Sequence, residues 1–299
     1  MNERDFLLAL RELPLHPGAA DLRDDTATLA GLTLTTDTIV EGIHFLPGDP
    51  PEDVAWKLLA TNLSDLAAKG ATPEGALLNY PLSDDAWDRA FLAGLDTALR
   101  QLACPLLGGD TVSLPSGAPR ILTLTAIGRD AAAPPRSAAR AGDALWVTGT
   151  IGDAGAGLAI EQGEDGPAEL LAAYRRPQPR LAEGRALAPL VHAMMDVSDG
   201  LLIDAARMAG ASGIAVAIDL AAVPLSDACR AFRGDGRAAR MAAATAGDDY
   251  QLLFAAAPDF APPVAATRIG DFAAGAGLTL ADAGEAIPLP SRLGFEHAI

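Results

Sequence analysis

The sequence predicts a mixed α/β (α+β) protein in two domains. Strand-like alternation and helix-like periodicity take turns in both halves of the chain. The length, 299 residues, is that of about two ordinary domains. Residues 130–142, DAAAPPRSAARAG, shift to Ala, Pro, Arg and Gly and make the best junction. The expected division is therefore 1–138 and 139–299. Half of the residues are hydrophobic and 20% are charged, enough to fill a core in each part.

The elements follow from local signals. Residues 3–13 read as a short amphipathic helix, and 32–40 alternate into a strand that ends in a Thr/Asp cluster. Pro50 and Pro51 open a helix over about 52–69 that Gly70 closes. On it Lys57, Thr61, Asp65 and Lys69 recur every fourth residue, a polar stripe beside Val54, Leu58, Leu59, Leu63 and Leu66. A strand over 76–80, a helix over 85–103 and a strand over 120–128 complete the first half. In the second half, strands are expected over 144–148, 194–197, 214–220, 250–256 and 267–270. Helices are expected over 154–161, 169–174, 180–193, from Ser198 to about 210, and over 227–232.

Composition excludes several function classes. The formal net charge is -17, from 39 acidic and 22 basic residues, which disfavours nucleic acid and anionic membrane as partners. The lysines are Lys57 and Lys69, neither after a glycine, so the P-loop pattern is absent, and so is the protein-kinase set. Cys104 and Cys229 stand too far apart for a disulfide framework or a C-x-x-C site and read as two buried thiols. No G-x-S-x-G or H-E-x-x-H occurs. The glycines from Gly149 to Gly157 have G-x-x-G-x-x-G spacing, not the dinucleotide fingerprint, and read as a tight strand–helix turn. No apolar run is long enough to span a membrane. The N-terminal MNERDFLLALREL lacks a leader's apolar core, so the cytoplasm is the expected location.

The distinctive feature is a series of short acidic clusters beside Gly, Ser or Thr. They are Asp24-Asp25-Thr26, Thr35-Thr36-Asp37-Thr38, Asn62-Leu63-Ser64-Asp65, Gly108-Gly109-Asp110-Thr111, Asp196-Val197-Ser198-Asp199-Gly200 and Gly247-Asp248-Asp249-Tyr250. Taken singly, each is an ordinary turn or cap. Together, several at strand ends, they suit a hard cation such as Mg²⁺, which takes oxygen ligands and leaves room for phosphates. Ser198-Asp199-Gly200 is expected to cap a helix through Ser198 or Asp199 and to offer its N-terminus to phosphate. His44 lies close to Asp37 in sequence, and Arg136 is a candidate phosphate clamp.

The segments DDTATL, TTDTIVEGIHF, NLSDLAAKGATP, LLGGDTV, RSAARAGDALWVTGTIGDAGAGL, RRPQPR, MDVSDGLLIDAARMA, AGDDYQLLF and GFEH run in order from near residue 22 to the C-terminus. In them the chain resembles the thiamine-monophosphate kinases, of the ATP-dependent aminoimidazole ribonucleotide synthetase-like superfamily. The resemblance implies that superfamily's two-domain fold, with N-terminal strands entering a dimeric β-barrel and a C-terminal α/β domain. It implies ATP and thiamine phosphate as substrates, several Mg²⁺ ions and a homodimer. It makes Asp25, Thr35, Thr36, Asp37, Asp65, Asp110, Asp196 and Asp199 metal ligands, Gly109, Asp110, Arg136 and Ser198 ATP contacts, and His44, Asp248 and Phe295 thiamine-phosphate contacts. Direct in-line transfer of the γ-phosphoryl group needs no general base. The chain departs from the family at Arg23, usually Gly, and at Asp248, commonly Glu. The alternatives are another phosphate-activating enzyme of the superfamily or a non-catalytic nucleotide-binding regulator. Against the first, the chain has no reactive Cys and Lys near its N-terminus and ends Glu296-His297-Ala298-Ile299 without a Cys.

Overall fold

A computed structural model describes residues 3–129 and 132–296, so Asp130 and Ala131 of the expected junction and the terminal His297-Ala298-Ile299 lie outside it. The first half runs α1 (Glu3–Leu10), β1 (Ala27–Leu29), β2 (Leu32–Val40), α2 (Pro51–Ala68), β3 (Thr72–Leu82), α3 (Asp85–Gln101), β4 (Leu106–Ser113) and β5 (Ile121–Arg129). The second runs β6 (Ala144–Thr148), α4 (Asp153–Glu161), α5 (Ala168–Arg175), α6 (Leu181–Leu187), β7 (Ala193–Asp196), α7 (Leu201–Ser212), β8 (Ala215–Asp219), α8 (Asp227–Arg233), α9 (Arg237–Thr245), β9 (Leu252–Ala256), β10 (Ala266–Ala273), β11 (Gly277–Asp282) and β12 (Glu285–Ile287).

Two sheets result. The first has the order β1-β2-β5-β3-β4, antiparallel except for the parallel β3–β4 pair. The second has the order β12-β11-β8-β10-β6-β9-β7, antiparallel except for β8–β11. The mixed α/β fold expected from the sequence is present in both halves.

Helix α2 positions the site. It is buried on almost every side, as a helix clamped between two layers must be. Leu58, Leu59, Leu63 and Leu66 join Leu122, Leu124, Ile39 and Leu78 of the first sheet in one core. Ala67 and Ala68, at its C-terminal end, join Met194, Leu252, Phe254 and Ala256 of the second sheet in another. The opposite face of the second sheet, with Leu145, Val147, Met195 and Leu253, packs on α7 and its neighbours. Strand β9 is therefore buried on both faces, as its unbroken apolar run requires.

Several expected boundaries move for local reasons. Helix α1 stops at Leu10 rather than 13, ahead of Pro14. Helix α6 stops at Leu187 rather than 193, because Pro189 cannot continue it. Strand β4 occupies a stretch expected to be a glycine turn. There the glycines serve close strand packing, since a Cβ on Gly109 would lie 1.8 Å from the Leu78 carbonyl oxygen. Helix α9, Ala-rich and packed on the core through Met241, Ala243 and Ala244, has no counterpart among the expected elements. Cys104 and Cys229 are buried free thiols.

Candidate active site

The polar stripe of α2 is largely buried and faces polar groups from both halves. Lys57, Asp65 and Lys69 each meet a different acidic or hydroxyl group along it. The span from Lys57 to Lys69 is about 18 Å of helix.

At the centre lie the carboxylates expected to hold metal. Strand β2 alternates, so Thr35 and Asp37 point towards α2. The Thr35 hydroxyl donates to Asp65 Oδ2 at 2.5 Å, and the Asp37 N–H donates to Asn62 Oδ1 at 3.1 Å. From the other half, Asp196 ends β7, is buried, and accepts the Ser64 hydroxyl at 2.5 Å. Asp25, in the turn before β1, accepts from Arg136 Nη1 at 2.9 Å through Oδ1, while its buried Oδ2 has no hydrogen-bond donor. Three of these carboxyls, Asp37, Asp65 and Asp196, are held above the ordinary carboxylate range. Burial and the charges of Asp25 and Asp199 push Asp37 up to about 6. Burial, then Asp37, Asp196 and Asp25, hold Asp65 well above the carboxylate range, and burial and Asp25 do the same to Asp196. Among the described residues no three acidic, His or Cys side chains already close into a cation cage.

The Ser198-Asp199-Gly200 loop corrects the capping expectation. Neither Ser198 nor Asp199 caps α7; Gly200 is the N-cap, and its φ of +130° suits a residue without a Cβ. The backbone donors are met by Asp204, one turn in. Its fully buried carboxylate accepts N–H bonds from Ser198, Asp199 and Gly200 at 3.1, 3.1 and 3.2 Å. Burial is the main cause that pushes Asp204 up to about 7, against the pull of Arg207. Arg207 bonds both Asp204, at 2.9 Å, and Asp199, at 2.5 Å.

The Lys57 end of the stripe carries residues expected to meet thiamine phosphate. Asp248 and Tyr250 adopt φ of +69° and +49°, strained values for non-glycine residues of the kind that cluster at working sites. The Asp248 N–H donates to the Ser198 carbonyl at 2.8 Å, and the Tyr250 hydroxyl lies 3.1 Å from Asp248 Oδ1. The Phe295 N–H donates to the Asp199 carbonyl at 2.9 Å, bringing the half-exposed Phe295 ring to 6.5 Å from His44. The His44 ring is fixed by the Val40 N–H on Nδ1 at 3.0 Å.

Two expected residues stand apart from this cluster within one chain. Thr36 lies between Thr35 and Asp37, so its side chain faces the other side of the sheet, where it meets Thr125 at 3.0 Å. Asp110 is on the edge strand β4, opposite Asn79, and that row carries Thr123 and Thr38 on the same open face. Gly109 shares a row with Leu78, Leu124 and Asp37 but lies three strand steps, about 14 Å, from Asp37. Arg23 is exposed, and its carbonyl accepts from Arg136 Nε at 2.7 Å.

Sequence reasoning placed Lys57 and Lys69 on the stripe but gave them no partners, and it passed over Asp204, Arg207 and Tyr174. The signal for the lysines was present: a polar stripe flanked by apolar residues on both sides must face something polar inside the protein.

The fold and the carboxylates that meet between its halves define a class of two-domain proteins, and the comparisons agree. Residues 23–129 match the AIR synthase related protein N-terminal domain, and residues 140–286 match its C-terminal domain. The thiamine-monophosphate kinase of Caulobacter vibrioides is 39% identical over 310 residues, covering 94% of this chain and 86% of that protein. A structure of AaThiL complexed with AMPPCP and TMP superposes with a TM-score of 0.88 at 30% identity, covering 99% of this chain and 97% of the other. The thiamine-monophosphate kinase of Stenotrophomonas maltophilia K279a gives a TM-score of 0.76 at 36% identity, covering 95% and 96%. The chain belongs to the thiamine-monophosphate kinase family.

Proposed function

We propose that the protein transfers the γ-phosphoryl group of ATP in line onto thiamine phosphate, giving thiamine diphosphate and ADP. The observation that carries this reading is the meeting of Asp25, Asp37 and Asp65 from one half with Asp196 and Asp199 from the other. The residues fit Mg²⁺. The donors are all hard oxygens, Asp25 Oδ2 is buried without a donor, and burial first, then the neighbouring carboxylates, disfavour the bare anions that a cation would stabilise. Asp25, Thr35, Asp37, Asp65, Asp196 and Asp199 would hold it. Mg²⁺ bound there would offset the charge of the two phosphate substrates and help to align them.

The acceptor oxygen is already anionic at neutral pH, so no side chain has to remove a proton. The task of the chain is placement. Asp204 holds the Ser198-Asp199-Gly200 backbone in one conformation beside the cluster. Ser198, Gly109, Asp110 and Arg136 are the groups offered to ATP. Asp248, His44 and the Phe295 ring are offered to thiamine phosphate, whose flat cationic ring suits a carboxylate beside an aromatic face.

A homodimer completes this reading. Strand β4 is an exposed edge, and Leu77, Leu106, Leu107 and Val112 are exposed on and beside it, a surface that a second copy would cover. Asp110 and Thr36 lie on this open face, so pairing would bring them into an enclosed space. The test is a coupled ADP assay with ATP and thiamine phosphate, with and without Mg²⁺. Turnover that requires both thiamine phosphate and Mg²⁺ supports the reading; nucleotide binding without turnover overturns it.

A further inference from the structure

Lys69 is fully buried, and its ammonium ties three segments together. Nζ lies 2.6 Å from Asp24 Oδ1 in the turn before β1, 3.2 Å from the Met194 carbonyl in β7 and 3.3 Å from the Pro134 carbonyl between the two halves. All three N–H groups are thereby used. Asp25 Oδ2 is also near, at 3.6 Å, but beyond hydrogen-bond reach. Met194 is two residues ahead of Asp196, and Asp24 is the neighbour of Asp25. One buried cation therefore fastens the backbone that carries Asp25 to the strand that carries Asp196.

A lysine is an expensive way to fill this position. The flanking helix positions use Leu66, Ala67 and Ala68, and an ammonium loses its hydration when buried. Its charge is balanced chiefly by Asp24, which leaves Asp25 Oδ2 open. Asp25 Oδ2, 3.6 Å from Nζ, and the Met194 carbonyl, 3.2 Å from it and two residues before Asp196, are thus held beside the same ammonium.

We propose that Lys69 is a positioning residue that pins the Asp24-Asp25 turn to β7, so that Asp25 and Asp196, from opposite halves, present their open oxygens to one cation-binding space. This rests on the Mg²⁺-assisted reading above. Lys69 acts through the chain, not by touching substrate. Its closest functional analogy is the outer partner that orients a ligand.

The test uses Mn²⁺ alone as a paramagnetic probe, with free Mn²⁺ read by electron paramagnetic resonance, beside the melting temperature and the Mg²⁺ activation constant. The variant is K69M/D24N, which removes both members of the buried pair and leaves no unpaired charge. It is expected to melt within a few degrees of the parent, to bind Mn²⁺ about tenfold or more weakly, and to need correspondingly more Mg²⁺. Its KM for thiamine phosphate at saturating Mg²⁺ should stay unchanged. Parent-like Mn²⁺ affinity in the folded variant overturns the proposal while leaving the metal reading intact. If that variant does not fold, D24N alone decides. Lys69 then loses its nearest partner and turns to the open oxygen of Asp25, weakening Mn²⁺ binding; unchanged binding overturns the proposal. A parent that binds no Mn²⁺ and turns over without Mg²⁺ overturns the metal reading, and this one with it.

Discussion

Lys57 Nζ lies 2.7 Å from Asp248 Oδ2, so the first turns of α2 are joined to the loop before β9 by an ion pair between the two halves. Lys57 is buried, donates also to the His44 carbonyl at 3.0 Å, and sits 4.1 Å from the Tyr174 ring centre. One cation thus fixes two of the residues offered to thiamine phosphate. In this chain the shorter Asp248 is already spanned by Lys57 on one oxygen and Tyr250 on the other.

Removing that cation should disturb substrate binding more than turnover. Lys57→Met leaves Asp248 with only the Tyr250 hydroxyl. A loss of about 1.4 kcal/mol in placement is a tenfold rise in KM for thiamine phosphate. Steady-state kinetics check this. A proportional fall in kcat with KM unchanged would place Lys57 in the transfer step instead.

Stability should depend on pH through Asp249. This buried carboxyl accepts N–H bonds from Gly152 at 2.7 Å and Ala154 at 3.3 Å at the start of α4. Burial still dominates and pushes it from 3.8 to about 8. The folded state favours the neutral acid, so its contribution is fully present below pH 3.8 and is lost as pH rises through about 8. Asp249→Asn keeps one acceptor and cannot ionise. Urea midpoints measured from pH 4 to pH 8 should decline less in the variant than in the parent; equal slopes would contradict the assignment.

Gly109→Ala should unfasten β4. The added Cβ would lie 1.8 Å from the Leu78 carbonyl oxygen, and the glycine has φ of +156°. A strained backbone and a displaced strand together cost on the order of 3 kcal/mol. A lowered urea midpoint is expected. An unchanged midpoint would mean that β4 does not lie against β3 in this register.

Asp204→Ala should collapse the loop beside the carboxylates. Three backbone donors lose a charged acceptor, and hydrogen bonds to charged groups are worth about 1.5–3 kcal/mol each. A lower melting temperature and weaker ATP binding by calorimetry are expected together. A variant that binds ATP as the parent does would show that the loop holds its shape without Asp204.

Much of this arrangement was legible in the sequence. Helix α2 followed from Pro51, Gly70 and its apolar spacing, and β2 from its alternation. The acidic clusters at 24–26, 35–38, 196–200 and 247–250 do meet groups of α2, while Gly108-Gly109-Asp110-Thr111 stands apart on β4. Period-two alternation could also have separated Thr36 from Thr35 and Asp37. What the sequence withheld is long-range pairing. Asp248 is 191 positions from Lys57, and Asp196 is 132 from Ser64, so nothing local announces either bond. Strand β4 was hidden because a Gly-Gly pair usually marks a turn, whereas here Gly109 admits the backbone of a neighbouring strand.

If carboxylates from both halves of the chain hold the Mg²⁺ that assists phosphoryl transfer from ATP to thiamine phosphate, removing one of them should cripple the transfer. Label transfer from [γ-³²P]ATP into thiamine diphosphate, in the parent and in Asp196→Asn, tests it most directly. Asn keeps the size and the Ser64 contact but removes the charge. The account predicts labelled thiamine diphosphate from the parent and a fall of about a hundredfold or more in the variant, with the melting temperature preserved. Near-parent labelling in a folded Asp196→Asn protein would contradict it.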